Sequence, residues 1–131
     1  MLAYSTYCSA DKHYSETLLP AIQLYNSVRI NKIYEAAKKS TTPFLILSGK
    51  YGIVGPNEKI SYYDHLLESS EIENHSDLIS MQIKSMKITV IEFYTNSITK
   101  DKNLHPYIDC ITRACAKASI KLKIIEENFA D

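Results

Sequence analysis

The sequence has no tryptophan, only three glycines, and no excess of charge of either sign. Fifteen basic and fifteen acidic residues cancel when the four histidines are neutral, so the chain lacks the positive charge typical of proteins that bind duplex nucleic acid. Apolar residues at 45% and charged residues at 23% are ordinary for a globular protein and exclude disordered or collagen-like chains. The 131 residues are predicted to form one domain, because a second core would have too little chain.

The sequence also lacks the signatures of disulfides, membrane segments and metal sites. Cys8, Cys110 and Cys115 form no C-x-x-C pair, and their odd number indicates free thiols in a reducing compartment. No run approaches 18 apolar residues, and residues 1–20 contain no apolar segment of the signal-peptide kind. The histidines are scattered, so neither a metal site nor a cofactor is predicted. We expect a soluble cytoplasmic protein without membrane contact, and the sequence leaves the oligomeric state open.

Four segments have the composition of β-strands, and helical patterns separate them. The strand candidates are 2–7, 44–47, 88–94 and 120–125, and apolar residues recur at helical spacing over 18–39, 64–85 and 104–118. A break is expected near Asn26 and Ser27, and Asn74 or Ser76 is expected to cap a helix that ends at Lys84. Pro106 suits the first turn of the last helix.

This order of elements predicts a three-layer α/β fold, with about four strands in a mostly parallel sheet and helices on both faces. Ligands of such sheets bind outside the carboxyl ends of the strands. The polar residues at these ends are Cys8 and Ser9, Ser48–Tyr51, Tyr94–Asn96, and Glu126 with Glu127. We therefore expect Cys8, Ser48, Lys50 and Tyr51 to line one cleft.

Residues 49–63 hold every glycine of the chain, at Gly49, Gly52 and Gly55. The segment matches neither the Walker A loop nor G-x-G-x-x-G. Glycine lets a backbone present its N–H groups to an anion, so a ligand-binding or catalytic loop is favoured over a purely conformational turn. Lys50 would then supply positive charge to a phosphate or a developing oxyanion; the alternative is a lysine that only faces solvent.

Two further residues have both a catalytic and a structural interpretation. Cys8 would need a base to act as a nucleophile, and no histidine lies at a diagnostic spacing from it, so a buried packing residue is favoured. Asp64 and His65 are adjacent, and adjacent side chains diverge, so a direct pair is not expected. Asp64 is either the N-cap of the following helix or a functional carboxylate.

Several segments together resemble an uncharacterised family of bacterial and phage proteins. The segments are Cys8-Ser9 with Lys12, Pro20-Ala21, Leu24–Ser27, Ile46–Pro56 (ILSGKYGIVGP) and Tyr62-Tyr63-Asp64. The family pattern is roughly C-S-x-x-K, P-A-x-x-L-Y, I-L-S-A-K-Y-G-L-x-x-P and P-Y-D. Here Ala10 stands where a second lysine is usual, Gly49 stands where alanine is usual, Ile53 replaces leucine, and Tyr62 replaces proline.

The family is similar, more distantly, to the core domain of archaeosine synthase and to the YaaA group of peroxide-stress proteins, whose folds resemble uracil-DNA glycosylases. This resemblance implies an enzyme that acts on a nucleotide or nucleobase, as a hydrolase or transferase of the glycosidic bond. Candidate catalytic residues are Lys50, Asp64 and Cys8, and candidate substrate-binding residues are Ser9, Lys12, Ser48, Gly49, Tyr51, Gly52, Tyr62 and Tyr63.

The alternatives are a non-catalytic stress or defence protein that binds a nucleotide or nucleic acid, and a subunit that binds a protein partner. Tyrosine faces together with a cation suit a nucleotide or nucleoside. Net charge zero limits a polymeric ligand to a short single strand.

Overall fold

The computed structural model describes all residues 1–131. Its strands are β1 (Leu2–Tyr7), β2 (Leu19–Pro20), β3 (Phe44–Ser48), β4 (Gly52–Val54), β5 (Lys59–Ile60), β6 (Val90–Thr95) and β7 (Lys121–Glu126). Its helices are α1 (Ala21–Leu24), α2 (Val28–Lys39), α3 (Ile72–Ser85) and α4 (Leu104–Lys117), with a 3-10 turn at Ser69–Glu71 before α3.

The main sheet has five strands in the order β4-β3-β1-β6-β7. The strands β3, β1, β6 and β7 are parallel, and β4 pairs antiparallel with β3 at the edge. The predicted α/β class and the mostly parallel sheet are therefore confirmed. The expected number of four strands is one too low, because β4 spans only three residues and directly follows the glycine-containing turn.

The helices cover the sheet on both faces. α2 contacts β1 and β3, whereas α3 and α4 pack against each other and contact β4 and β7. This division follows from right-handed crossovers, since the chain moves in one direction from β1 to β3 and in the opposite direction from β3 to β6. The 31 buried apolar residues form one cluster, so both helical layers share a core with the sheet. No helix combines the length and apolar character needed to cross a membrane.

The break predicted near Asn26 and Ser27 is confirmed, since α1 ends at Leu24 and Ser27 caps α2 by accepting the Ile30 N–H at 3.0 Å. The caps predicted for α3 are wrong. The helix begins at Ile72, after a capping box between Glu68 and Glu71, and Ser76 is buried within it. Asp64 is not a cap either, because residues 61–68 form an irregular segment.

The order of the strands creates one reversal point next to β1. The connection through α2 leads from β1 to β3 on one side, while β6 lies on the other side of β1. The carboxyl ends of β1 and β6 thus flank a crevice that no crossover covers, and in open α/β sheets this is where ligands bind.

Candidate functional site

A cleft of about 490 Å³ lies at this reversal point, and its volume suits a small molecule. We call it the β1–β6 cleft. Its walls come from the end of β1 and the loop after it, from the amino end of α2, from the irregular segment after Tyr63, and from the loop between β6 and α4. The lining residues used below are Tyr7, Cys8, Ser9, Asp11, Lys12, Asn26, Arg29, Asp64, His65, Leu66, Asn96, Lys100, Asp101, Asn103, Tyr107 and Asp131.

Arg29 is the dominant charged group of the wall, and it is only 1% exposed. Its Nη1 donates to Thr6 Oγ1 and to the Tyr7 carbonyl, both at 2.6 Å, and its Nη2 donates to the Cys8 carbonyl at 3.2 Å. The guanidinium lies over the Tyr7 ring, 3.5 Å from its centroid. The Arg29 Nε has no hydrogen-bond partner. Burial lowers the pKa of the guanidinium, and Tyr7 and Asp131 oppose that shift.

Arg29 is also the residue that sequence reasoning missed. The apolar spacing over 18–39 does not single out Arg29, yet Arg29, Ile33 and Ala37 are buried, while Val28 is 64% exposed. These three residues are spaced four apart and therefore share one helical face. An arginine in phase with buried apolar residues was the available signal, since buried cations are paired and rare.

Cys8 lies in the cleft wall and is buried. Its thiol donates to Tyr107 Oη at 3.7 Å, and the same oxygen accepts the Leu67 N–H at 3.1 Å. Burial, with Cys8 nearby, raises the pKa of Tyr107. Cys8 therefore has a phenol as its polar neighbour. Burial raises the pKa of Cys110 and of Cys115 to about 12, so both remain thiols at neutral pH.

The loop after β1 is held in place by the chain that enters α2. Ser9 Oγ donates to the Asp11 carbonyl at 2.7 Å, and the Asp11 carboxylate accepts from Asn26 Nδ2 at 3.0 Å. Lys12 pairs with Tyr25 in an isolated bridge, and its Nζ lies 4.5 Å from the centroid of the Tyr63 ring. Two predicted binding residues, Ser9 and Lys12, are thus brought to the cleft.

The segment Asn128–Asp131 reaches the cleft through Asp131. Phe129 is buried, and its N–H donates to Asn96 Oδ1 at 2.8 Å. The Asp131 carboxylate accepts the Arg29 backbone N–H at 2.7 Å and the Ser27 hydroxyl proton. Asn96 Nδ2 donates to the Asp131 main-chain oxygen and to Tyr7 Oη. A carboxylate therefore lies at the amino end of α2, where the helix dipole favours negative charge.

The glycine-containing segment, by contrast, is a tight hairpin turn between β3 and β4. We call Ser48–Val54 the glycine hairpin. Ser48 Oγ accepts the N–H groups of Lys50 and Tyr51 at 3.1 and 3.0 Å, and Gln82 Oε1 accepts that of Ile53 at 2.8 Å. Gly52 has φ +78°, the left-handed region that favours glycine. The N–H groups of Lys50, Tyr51 and Ile53 are therefore hydrogen-bonded within the chain.

Of the four residues expected in one cleft, only Cys8 lines it; Ser48, Lys50 and Tyr51 do not. Gly49 is the contact between the two regions, since a Cβ built there would lie 2.9 Å from Tyr107 Oη. Ser48 instead donates to Tyr63 Oη at 2.9 Å, and Tyr63 Oη lies 2.6 Å from Tyr25 Oη. Burial raises the pKa of both tyrosines. Lys50 is exposed and lies 5.3 Å from the Tyr51 ring centroid.

Of the remaining predicted residues, Asp64 lines the cleft and Tyr62 does not. Asp64 is exposed and lines the cleft, and so does His65, whose Nε2 is 2.9 Å from the Glu71 carboxylate. Tyr62 is 38% exposed and does not line the cleft, and its ring contacts Tyr14 edge-on, with centroids 5.2 Å apart. No group of three metal-ligating side chains comes together.

The fold and this site define a class: an α/β protein with a polar, arginine-walled cleft at the strand-order reversal of its sheet. The sequence model of one protein family, "Family of unknown function (DUF6884)", matches residues 6–123 of the chain. The chain belongs to that family. Neither the curated proteins nor the solved structures gave a match.

Proposed function

We propose that the β1–β6 cleft binds a nucleoside or mononucleotide. The protein would hydrolyse the glycosidic bond of this ligand or transfer its glycosyl group. The observation that carries the proposal is the buried Arg29 in the wall of a cleft at the strand-order reversal. The positive charge of an arginine in this wall favours an oxyanion such as phosphate. The resemblance to the archaeosine synthase core domain and the YaaA group supports nucleobase chemistry.

The cleft also supplies the polar groups that a nucleoside needs. The amides of Asn26 and Asn103 can pair with the edge of a base, and Lys12 adds a second cation to the lining. The exposed rings of Tyr14 and Tyr62, which contact each other outside the cleft lining, would bind further bases of a short single strand. Aromatic faces of this kind are typical platforms for bases.

For the reaction we assign the catalytic carboxylate to Asp64. Cleavage of a glycosidic bond builds positive charge on the sugar, and a carboxylate stabilises that charge or activates water. Asp64 is exposed within the cleft, so substrate can reach it. We place Cys8 in the binding wall, where its thiol donates to Tyr107. Lys50 has no role in this proposal, because it does not line the cleft.

The second candidate is a protein that binds the same ligand without turnover. Lys50 is one of the three candidate catalytic residues and does not line the cleft, which favours this alternative. Ligand binding is common to both candidates, and release of free base separates them.

The test is calorimetry with a panel of nucleosides, nucleoside monophosphates and short oligonucleotides, followed by chromatography for released base. We expect at least one ligand to bind at millimolar concentration or below. Asp64→Asn should keep that affinity and lower base release by about 100-fold or more; the control Asp77→Asn, in a surface ion pair with Lys117, should change neither. Binding without release would establish the second candidate, and absence of all binding would refute both.

A further inference from the structure

The two edges of the main sheet differ in how their backbone groups are covered. The edge strand β4 is buried along its whole length, and Gln82 Oε1 accepts the N–H of its middle residue, Ile53, at 2.8 Å. The opposite edge strand, β7, is exposed or half-buried at all six residues. An exposed edge offers its free N–H and C=O groups to a further strand. β7 is therefore the open edge of the sheet.

The backbone groups that point outward from β7 follow from its pairing with β6, the one strand that it contacts in the sheet. The N–H of Lys121 donates to the Thr89 carbonyl at 3.1 Å, so Lys121 and every second residue after it face β6. The N–H and C=O groups of Leu122, Ile124 and Glu126 therefore point away from the sheet.

The charges of β7 are segregated along the strand. Lys121 and Lys123 lie in its first half, whereas Glu126 ends the strand and Glu127 follows it directly. None of these four side chains forms an ion pair within the chain. A second copy of β7 in antiparallel orientation would bring the lysines of each strand to the glutamates of the other, whereas a parallel copy would oppose like charges. The strand is thus complementary to itself in the antiparallel orientation.

A twofold axis limits how two copies of β7 can align. Because opposed side chains lie on the same face of a sheet, the axis must pass through a residue that lies opposite itself. With Ile124 at the axis, its outward N–H and C=O groups pair with those of the second copy, and Lys121 lies opposite Glu127 at both ends. The side chain of Ile124, which is 40% exposed, then packs against its own copy.

The two registers that shift the axis by one residue are less favourable for charge. With Lys123 at the axis, two lysines are opposed. With the axis one residue beyond Ile124, Lys123 lies opposite Glu127, but Lys123 already has Glu92 as its neighbour on β6. Lys121 has an apolar neighbour there and is the lysine that lacks a carboxylate.

We propose that β7 is a self-association surface, on which a second copy of this chain adds its own β7 in antiparallel orientation with Ile124 at the twofold axis. The main sheets of the two copies then continue into each other. One pair of strands buries a small area, so the dimer is weak, with a dissociation constant on the order of 100 μM. No residue of β7 lines the β1–β6 cleft, so this association is independent of the proposed function.

Sedimentation velocity from micromolar to millimolar concentration measures the association. Lys121→Glu and Glu127→Lys should each weaken it at least about tenfold, because each variant opposes like charges at both ends of the strand pair. Both side chains are exposed, so both variants should fold. The control Lys59→Glu, at an exposed lysine of the separate two-stranded sheet, should match the wild type. A mixture of the two β7 variants should form heterodimers about as tightly as the wild type associates, since opposite charges then meet at both ends.

Hydrogen exchange locates the contact within the chain. The amide of Ile124 should exchange at least about tenfold more slowly where the dimer forms than in dilute protein. The amide of Lys123 faces β6 and should be protected at every concentration. A wild type that stays monomeric at millimolar concentration, a mixture of variants that fails to associate, or a dimer that leaves exchange at Ile124 unchanged would overturn the proposal.

Discussion

The β1–β6 cleft and the glycine hairpin lie at the same carboxyl edge of one sheet, and their polar groups are treated in opposite ways. In the hairpin, Ser48 and Gln82 accept the N–H groups of Lys50, Tyr51 and Ile53, so these donors are already paired. In the cleft, Asp64 is exposed and Lys12 is half-buried. The glycines therefore mark a conformational requirement, and the open donors and carboxylates mark the candidate site.

The largest expected effect tests whether Arg29 is as integral to the cleft as its contacts indicate. Arg29→Met should lower the free energy of unfolding by about 3–5 kcal/mol, because it leaves three buried acceptors without their donor. Urea denaturation measures the loss. The matched control is Arg113→Met, which removes exposed ion pairs with Glu73 and Asp109 and should cost about 1 kcal/mol or less. Equal losses in the two variants would contradict the assigned role of Arg29.

A smaller effect tests the conformational role of the glycine hairpin. Gly52→Ala should cost about 2 kcal/mol, because φ is +78° and the new Cβ would lie 2.3 Å from Gln82 Oε1. Gly55→Ala is the control, since no atom lies within 4 Å of a Cβ there, and it should be neutral or stabilising. Thermal denaturation of both variants gives the comparison. If Gly52→Ala proved as stable as Gly55→Ala, the hairpin would not depend on glycine.

The sequence predicts the fold class well because the signal for it is local. The buried run at 44–47, the β-branched run at 88–94 and the helical spacing at 104–118 each identify an element, and their alternation implies parallel pairing. The pairs β1–β3 and β1–β6 are different in kind. They depend on which side of β1 each strand takes, and no local pattern encodes that choice.

The candidate site was located only in part for the same reason. Reasoning from chain order paired the ends of the first two strands and so favoured Lys50, whereas the reversal of strand order places the cleft between β1 and β6. Cys8, Ser9, Lys12 and Asp64 line it as expected of site residues, although their roles remain predictions. Asp131 was out of reach, because it acts through contacts with residues far away along the chain.

The smallest effect compares two lysines that the sequence treats alike. Lys12 lines the cleft, and Lys50 is exposed outside it. If a mononucleotide binds in the cleft, Lys12→Ala should weaken binding about threefold to tenfold, the range for losing one partly exposed charge contact. Lys50→Ala should stay within about twofold of the wild type, since screening weakens the interaction of distant surface charges. Calorimetry at two salt concentrations should show a weaker salt dependence for Lys12→Ala alone. A larger loss for Lys50→Ala would return the site to the glycine hairpin.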